Sequence, residues 1–230
     1  MANDFFKFKQ FTVHHDRCGM KVGTDGTLLG AWARGGNRIL DIGTGSGLIA
    51  LMMAQRFPKA LVTGIDIDGI AAGQAMENVA ASPFHGRIDI ICQDVIQLPA
   101  SVQDGHDSYD AIVSNPPYFA DSLCSPDGQR TLARHAATLT YRTLASCCRR
   151  LLAERGELSV VIPADQKGRM EAEATLAGFF KSRECAVKTS PQKPPKRWLL
   201  AFRKHPDRTE HTELTIGSEE YMELTKDFYL

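Results

Sequence analysis

Leu40-Asp41-Ile42-Gly43-Thr44-Gly45-Ser46-Gly47 is the stretch on which the reading of this chain turns. A β-branched run over 38–43 ends in glycines at alternate positions and passes at once into an apolar, helix-period segment over 48–57. Glycines at a strand-to-helix turn take positive φ and let a ligand stand where a Cβ would be. A dinucleotide site asks for G-x-G-x-x-G, but position 48 is Leu and the third glycine comes one residue early, at Gly47. A nucleotide-binding dehydrogenase is disfavoured on that ground.

The same alternation continues outward. Strands are predicted over 60–66, 87–94, 109–115 and 157–163, and around 185–188 and 198–203. Helices are predicted over 70–81, over 139–154 with Gly156 as the stop, and over 165–179. Strands alternating with helices mean βαβ units, hence an α/β fold with a doubly wound, mostly parallel sheet; an antiparallel last strand at or near the edge is the common departure. Before this core, 1–36 reads as an extended piece followed by a helix capped by Asp25 and running through Leu28, Leu29 and Trp32. The core is assigned to 37–204 and a tail to 205–230, all within one domain. The polar connection over 121–135 follows a strand end, where long loops of such sheets usually carry function.

Composition sets bounds. A chain of 230 residues, 43% apolar and 23% charged, buries roughly 70% of its unfolded surface and needs no disulfide or structural metal. Disorder, collagen and coiled coil are excluded. The longest apolar run, 47–54, is far short of a membrane span, and MANDFFKFKQ carries charge without a long apolar stretch, so a cytoplasmic protein with no membrane association is expected. The six cysteines form no CxxC pair and the histidines no HExxH, so no metal is expected.

Three further strand ends carry polar groups. Asp66 ends the second strand, where a carboxylate can accept from both hydroxyls of a ribose; capping of the next helix is the alternative, for which Asp68 is better placed. Asp94 ends the third and could accept from an adenine amine or cap a helix. The fourth ends in Ser114-Asn115-Pro116-Pro117-Tyr118. Each proline fixes its own φ and holds its predecessor extended, so Asn115 and Pro116 form a rigid pair of acceptors beside an aromatic face, which suits a planar amine. Tyr118 is otherwise a core aromatic.

This combination resembles the class I S-adenosylmethionine-dependent methyltransferases, whose core is Rossmann-like with about seven strands, and the Asn115-Pro116-Pro117-Tyr118 run resembles the signature of those that methylate planar nitrogens. Phe11-Thr12-Val13, the block from Asp16 to Trp32 and the ending Leu224-Thr225-Lys226-Asp227-Phe228-Tyr229 are similar to the bacterial enzymes that N6-methylate the adenine beside the anticodon of a valine tRNA. The resemblance implies that Gly43, Gly45 and Gly47 pass under the methionine part of S-adenosylmethionine, that Asp66 takes its ribose, and that Asp41 approaches its ammonium unless it merely caps the turn. Lys21 and Thr24 close over the cofactor carboxylate or face RNA. The Asn115 side chain and the Pro116 carbonyl would accept the two N–H groups of the adenine amine, while Tyr118 stacks on a base already unpaired in the anticodon loop. A monomer or weak dimer is expected.

Net charge is zero, which argues at first against RNA. Its distribution does not: 181–204 has a balance of +7 and 205–230 one of −5. Lys188, Lys193, Lys196 and Arg197, among Pro191, Pro194, Pro195 and Trp198, are the candidate RNA contacts, against the alternative of a solvated face. Enzymes acting on glutamine amides of release factors or guanine amines of ribosomal RNA share the Asn-Pro-Pro-Tyr run. The glutamine class typically adds a helical N-terminal domain for which 36 residues leave no room, and a non-catalytic RNA-binding module would have no use for the run.

Overall fold

The computed structural model describes residues 4–99, 108–117 and 139–230. β1 (Phe5–Lys7) and β2 (Thr12–His14) pair as an antiparallel hairpin ahead of α1 (Thr24–Trp32). Then come β3 (Arg38–Ile42), α2 (Leu48–Arg56), β4 (Leu61–Asp66), α3 (Gly69–Ala80), β5 (Ile88–Cys92) and β6 (Tyr109–Ser114). The rest is α4 (Tyr141–Leu151), β7 (Leu152–Pro163), α5 (Lys167–Leu176), β8 (Phe180–Lys188), β9 (Arg197–Arg203), β10 (Glu210–Thr215) and α6 (Glu219–Thr225). The main sheet has the order β10-β8-β9-β7-β6-β3-β4-β5, parallel except for β9, which runs antiparallel between β7 and β8.

Alternation along β3 sorts the core into two layers. Ile39 joins Leu28, Leu51, Met52, Ala75 and Val79 on the side of α1 to α3, whereas Leu40 and Ile42 join Leu144, Cys148, Met170 and Ala174 on the side of α4 and α5. At the amino-terminal end of the β7–β6 pairing, Glu157 is only 4% exposed and meets Arg183 at 2.5 Å, Arg203 at 3.0 Å and Arg34 at 3.7 Å. Arg183 also lies 4.0 Å over the Trp32 ring, so this cluster ties β7, β8, β9 and α1 together.

Three local expectations change. Asp25 does not cap α1: Gly23 is the N-cap residue, without a side-chain cap, and Asp25 sits inside the first turn. α4 ends at Leu151, because residues 152–156 already belong to β7; Gly156 is a close-approach position, where a Cβ would stand 2.9 Å from the Asp110 carbonyl oxygen. α5 is shorter than 165–179 and stops at Leu176, Gly178 turning the chain at φ +85° into β8. The last strand predicted, 198–203, is the antiparallel β9, and it lies near the edge rather than at it, with β8 and β10 outside. In β10 only Leu214 is buried, so an apolar pattern never marked the strand.

Candidate active site

Ile42 and Ser114 are register partners in adjacent parallel strands, and the Ser114 hydroxyl donates to the Ile42 carbonyl at 2.8 Å. β3 connects onward to β4 on one side, while β6 lies on its other side, so a crevice opens between the carboxyl ends of the two strands, the place where sheets of this kind bind ligands. The glycine turn leaves from one wall and Asn115 from the other, at the same level.

The turn is fastened to β4. Gly43 and Thr44 donate their N–H groups to the Ile65 carbonyl at 2.8 and 3.0 Å, and Gly45 donates to Asp66 Oδ2 at 2.8 Å. Gly43 and Gly45 have φ of +70° and +55°, and a Cβ at either would meet nothing within 4 Å. Both therefore present bare backbone to open space. Gly47, at φ +81°, also allows close packing: its Cβ would come within 3.3 Å of the Ala75 Cβ on α3. Asn78, 2% exposed, donates to the carbonyls of Ser46 at 2.9 Å and His14 at 2.8 Å, and accepts from the His14 N–H at 2.9 Å. It joins the N-terminal segment to the turn.

Asp41 lies beneath the turn, fully buried, because the alternation of β3 sends it to the α1–α2 layer with Ile39. Its Oδ2 accepts from Thr44 Oγ1 at 2.7 Å and from the Ala50 N–H at 3.1 Å, while Oδ1 has no hydrogen bond among the described residues. Burial pushes its pKa up to about 7; the Thr44 and Ala50 hydrogen bonds pull it back and the charge of Asp66 adds to the rise. One carboxylate oxygen of Asp41 thus caps the turn.

Residues 20–26, the turn 43–46, Leu48, Ile49, Asn115 and Arg197 enclose a cleft of about 330 Å³. Across its wall Arg197 Nε donates to Asp25 Oδ2 at 2.7 Å. A second hollow, about 260 Å³ by Arg38, His85, Arg87 and Tyr109, lies at the amino-terminal edge of the sheet, away from the strand ends that carry the polar motifs.

The profile of the Methyltransferase small domain matches residues 27–191. A tRNA1(Val) (adenine(37)-N6)-methyltransferase of Bacteroides thetaiotaomicron is 48% identical over 100% of this chain and 99% of its own length, and that of Phocaeicola vulgatus is 50% identical over the same shares. The chain belongs to the tRNA1(Val) (adenine(37)-N6)-methyltransferase family. Among solved structures, a predicted O-methyltransferase from Agrobacterium tumefaciens superposes with TM-score 0.66 at 21% identity, over 89% of this chain and 96% of that one. A methyltransferase from Pyrococcus furiosus gives 0.54 at 21%, over 78% and 80%. These likenesses confirm the fold.

As a member of this methyltransferase family, the chain gathers Lys21, Thr24, Gly43, Gly45, Asn115 and Arg197 around one cleft. Pro116 follows Asn115 and is buried outside the cleft lining, and Tyr118 lies outside the described residues, as does 121–135. Asp66 and Asp94 are outside the cleft lining, on the adjoining strand ends. Asp66 holds the Gly45 and Asp68 N–H groups, and Asp94 accepts from the Ile96 N–H at 2.9 Å as the cap of a short 3-10 turn. Beside them Ile67 and Ile96 are 53% and 57% exposed.

The basic segment is largely neutralised by folding. Lys181, Arg183, Lys188, Arg197, Arg203 and Lys204 form ion pairs with Glu184, Glu157, Glu213, Asp25, Glu157 and Glu154 in turn. Lys193 and Lys196 are exposed and carry no ion pair among the described residues. Of the four candidate RNA contacts, these two remain on an open face, and Arg197 has moved into the cleft.

Proposed function

We propose that this chain transfers the methyl group of S-adenosylmethionine to N6 of adenine 37 in tRNA1(Val), the activity printed in the names of its full-length relatives. The observation that carries the reading is the placement of Asn115 in the wall of the cleft that the Gly43–Ser46 turn also lines. The residues fit the cofactor, because Gly43 and Gly45 form a cradle that a Cβ would occupy. Lys21 and Thr24 stand in the cleft wall for its carboxylate, and Asp66 and Asp94, with the exposed Ile67 and Ile96, offer a polar and apolar shelf for its adenosine. Asp41 contributes from beneath, by holding the turn.

S-adenosylmethionine supplies a methyl group on a positively charged sulfur, so no strong base is needed. The adenine amine is a poor nucleophile because its lone pair is delocalised into the ring. Asn115 Oδ1 and the Pro116 carbonyl accept its two N–H groups, favouring the charge that develops on nitrogen, and the rigid Asn-Pro-Pro backbone keeps those dipoles preorganised. Catalysis is then placement plus this polarisation. The tRNA approaches over Lys193 and Lys196, and the reading places the chain in the cytoplasm as a monomer or weak dimer.

Incubation with labelled cofactor and bulk tRNA lacking the modification, followed by nucleoside mapping, is expected to give N6-methyladenosine; label in guanosine or in protein overturns the substrate. Asn115→Ala is expected to lower kcat by about a hundredfold or more with cofactor affinity nearly unchanged, whereas parallel loss of both would make Asn115 structural.

A further inference from the structure

Arg197 is the first residue of β9, and β9 is the antiparallel strand of an otherwise parallel sheet. Its amino-terminal end therefore arrives at the edge where the parallel strands finish, with Arg197 opposite Pro163 of β7 and Val187 of β8. A strand of the usual direction would have put this residue at the far end of the sheet. The guanidinium is held on two sides: Nε donates to Asp25 at 2.7 Å and Nη1 to the Lys196 carbonyl at 2.9 Å. Asp25 is held in turn by the first turn of α1, where the helix dipole favours a carboxylate. Neither side chain is sealed off, with 34% of Arg197 and 23% of Asp25 exposed.

Immediately before Arg197, the exposed Lys193 and Lys196 lie on a turn stiffened by Pro194 and Pro195 and fixed by the Lys196 N–H to the Val187 carbonyl at 2.9 Å. Cationic groups thus run without interruption from an open loop into the wall of the cleft. Arg197 enters that wall from the β7–β9 side, two strands over from Asn115 and two residues further along the register, or roughly 12 Å at about 4.8 Å per strand and about 3.3 Å per residue. That separation is of the order of the reach of an adenosine from its amine to its 5′-phosphate. An arginine has five donors in a planar fork, so it can keep a carboxylate on one edge while meeting a phosphate on another.

We propose that Arg197, aimed by Asp25, is a positioning residue for the RNA: its guanidinium takes a backbone phosphate at the target nucleotide while the base amine meets Asn115. This rests on the methyl-transfer reading above and extends it to how the nucleotide is oriented. Lys193 and Lys196 supply approach, and Arg197 supplies register. Asp25 gives the guanidinium one direction, so little side-chain freedom is lost when the phosphate arrives.

The test compares Arg197→Gln, Arg197→Lys and Asp25→Asn with the unaltered chain, all confirmed folded by their melting transitions. Cofactor affinity is measured by calorimetry without RNA; kcat and KM are measured with a tRNA1(Val) transcript over a range of salt. Arg197→Gln is expected to raise the KM for tRNA about tenfold, consistent with loss of one charge-assisted contact, to lower kcat as the nucleotide loses its register, to lower the salt slope by about one, and to leave cofactor affinity within about twofold. Arg197→Lys should recover the salt slope but not kcat, since charge returns without the fork. Asp25→Asn should lower kcat with a smaller change in KM. If cofactor affinity falls in step with KM, Arg197 belongs to the cofactor and the inference fails; it fails equally if KM and kcat stay unchanged, or if lysine restores kcat. An unaltered chain that binds cofactor yet labels no adenine in tRNA would instead overturn the functional reading itself.

Discussion

The Ser114 hydroxyl and the Ile42 carbonyl, 72 positions apart, are joined by a 2.8 Å hydrogen bond inside the core. The residue after Ile42 opens the glycine turn and the residue after Ser114 is Asn115, so this one bond helps set the two walls of the cleft at a common level. Ser114→Ala leaves a buried carbonyl short of a partner and is expected to cost about 1–2 kcal/mol. A small shift of Asn115 should also lower kcat by about three- to tenfold, with cofactor affinity little changed. Urea unfolding and steady-state kinetics check both; an unchanged kcat would uncouple the strand ends from the chemistry.

Two buried carboxyl groups make opposite demands on pH. Asp41 has a folded pKa of about 7 against an ordinary 3.8. Between those values the folded chain holds a proton that the unfolded chain releases, so this group's contribution to stability falls as pH rises from about 4 to 7 and levels off above. The full penalty is on the order of 4 kcal/mol, at about 1.4 kcal/mol per unit. For Glu184 burial raises the pKa, but hydrogen bonds from Lys181, Lys167 and His211 outweigh it and hold the group at about 2, below its ordinary 4.5. Its contribution is full above pH 4.5 and is lost as pH falls toward 2. Asp41→Asn isolates the first effect: the difference in urea midpoint between variant and parent should change with pH between 4 and 7, and a constant difference would refute the raised pKa.

Glu157 is the common acceptor of Arg183, Arg203 and Arg34. Glu157→Gln removes the buried carboxylate that all three arginines share, leaving Arg34 with Glu210 and Arg203 with Asp207 at the surface, and is expected to destabilise the fold by about 3–5 kcal/mol. Glu157→Asp, which keeps the charge on a shorter stem, should lose clearly less. Denaturant midpoints at fixed pH give the comparison, and a loss under about 1 kcal/mol in the Gln variant would mean that the arginines find other partners.

Much of the fold was readable because its signals are local. The period of the apolar residues, the glycine turn after β3 and the Asn-Pro-Pro run after β6 each depend on a few neighbouring residues, and each stands where its pattern placed it. β10 was not readable, since an edge strand with one buried residue, Leu214, has no apolar alternation to display. The end of α4 was missed because helix-forming residues over 152–154 gave way to pairing with β6.

The sequence by itself determined the alternating α/β architecture, the glycine turn and the family, because short-range patterning and residue identity carry those. Only the tertiary structure decided which charges remain available. A segment with a balance of +7 is mostly paired with acids from β7, α1, β10 and its own strand, and Arg197 leaves the open loop for the cleft because β9 runs antiparallel. Ion pairing depends on distance in space between residues such as Asp25 and Arg197, which lie 172 positions apart. No arithmetic on the chain can supply that distance.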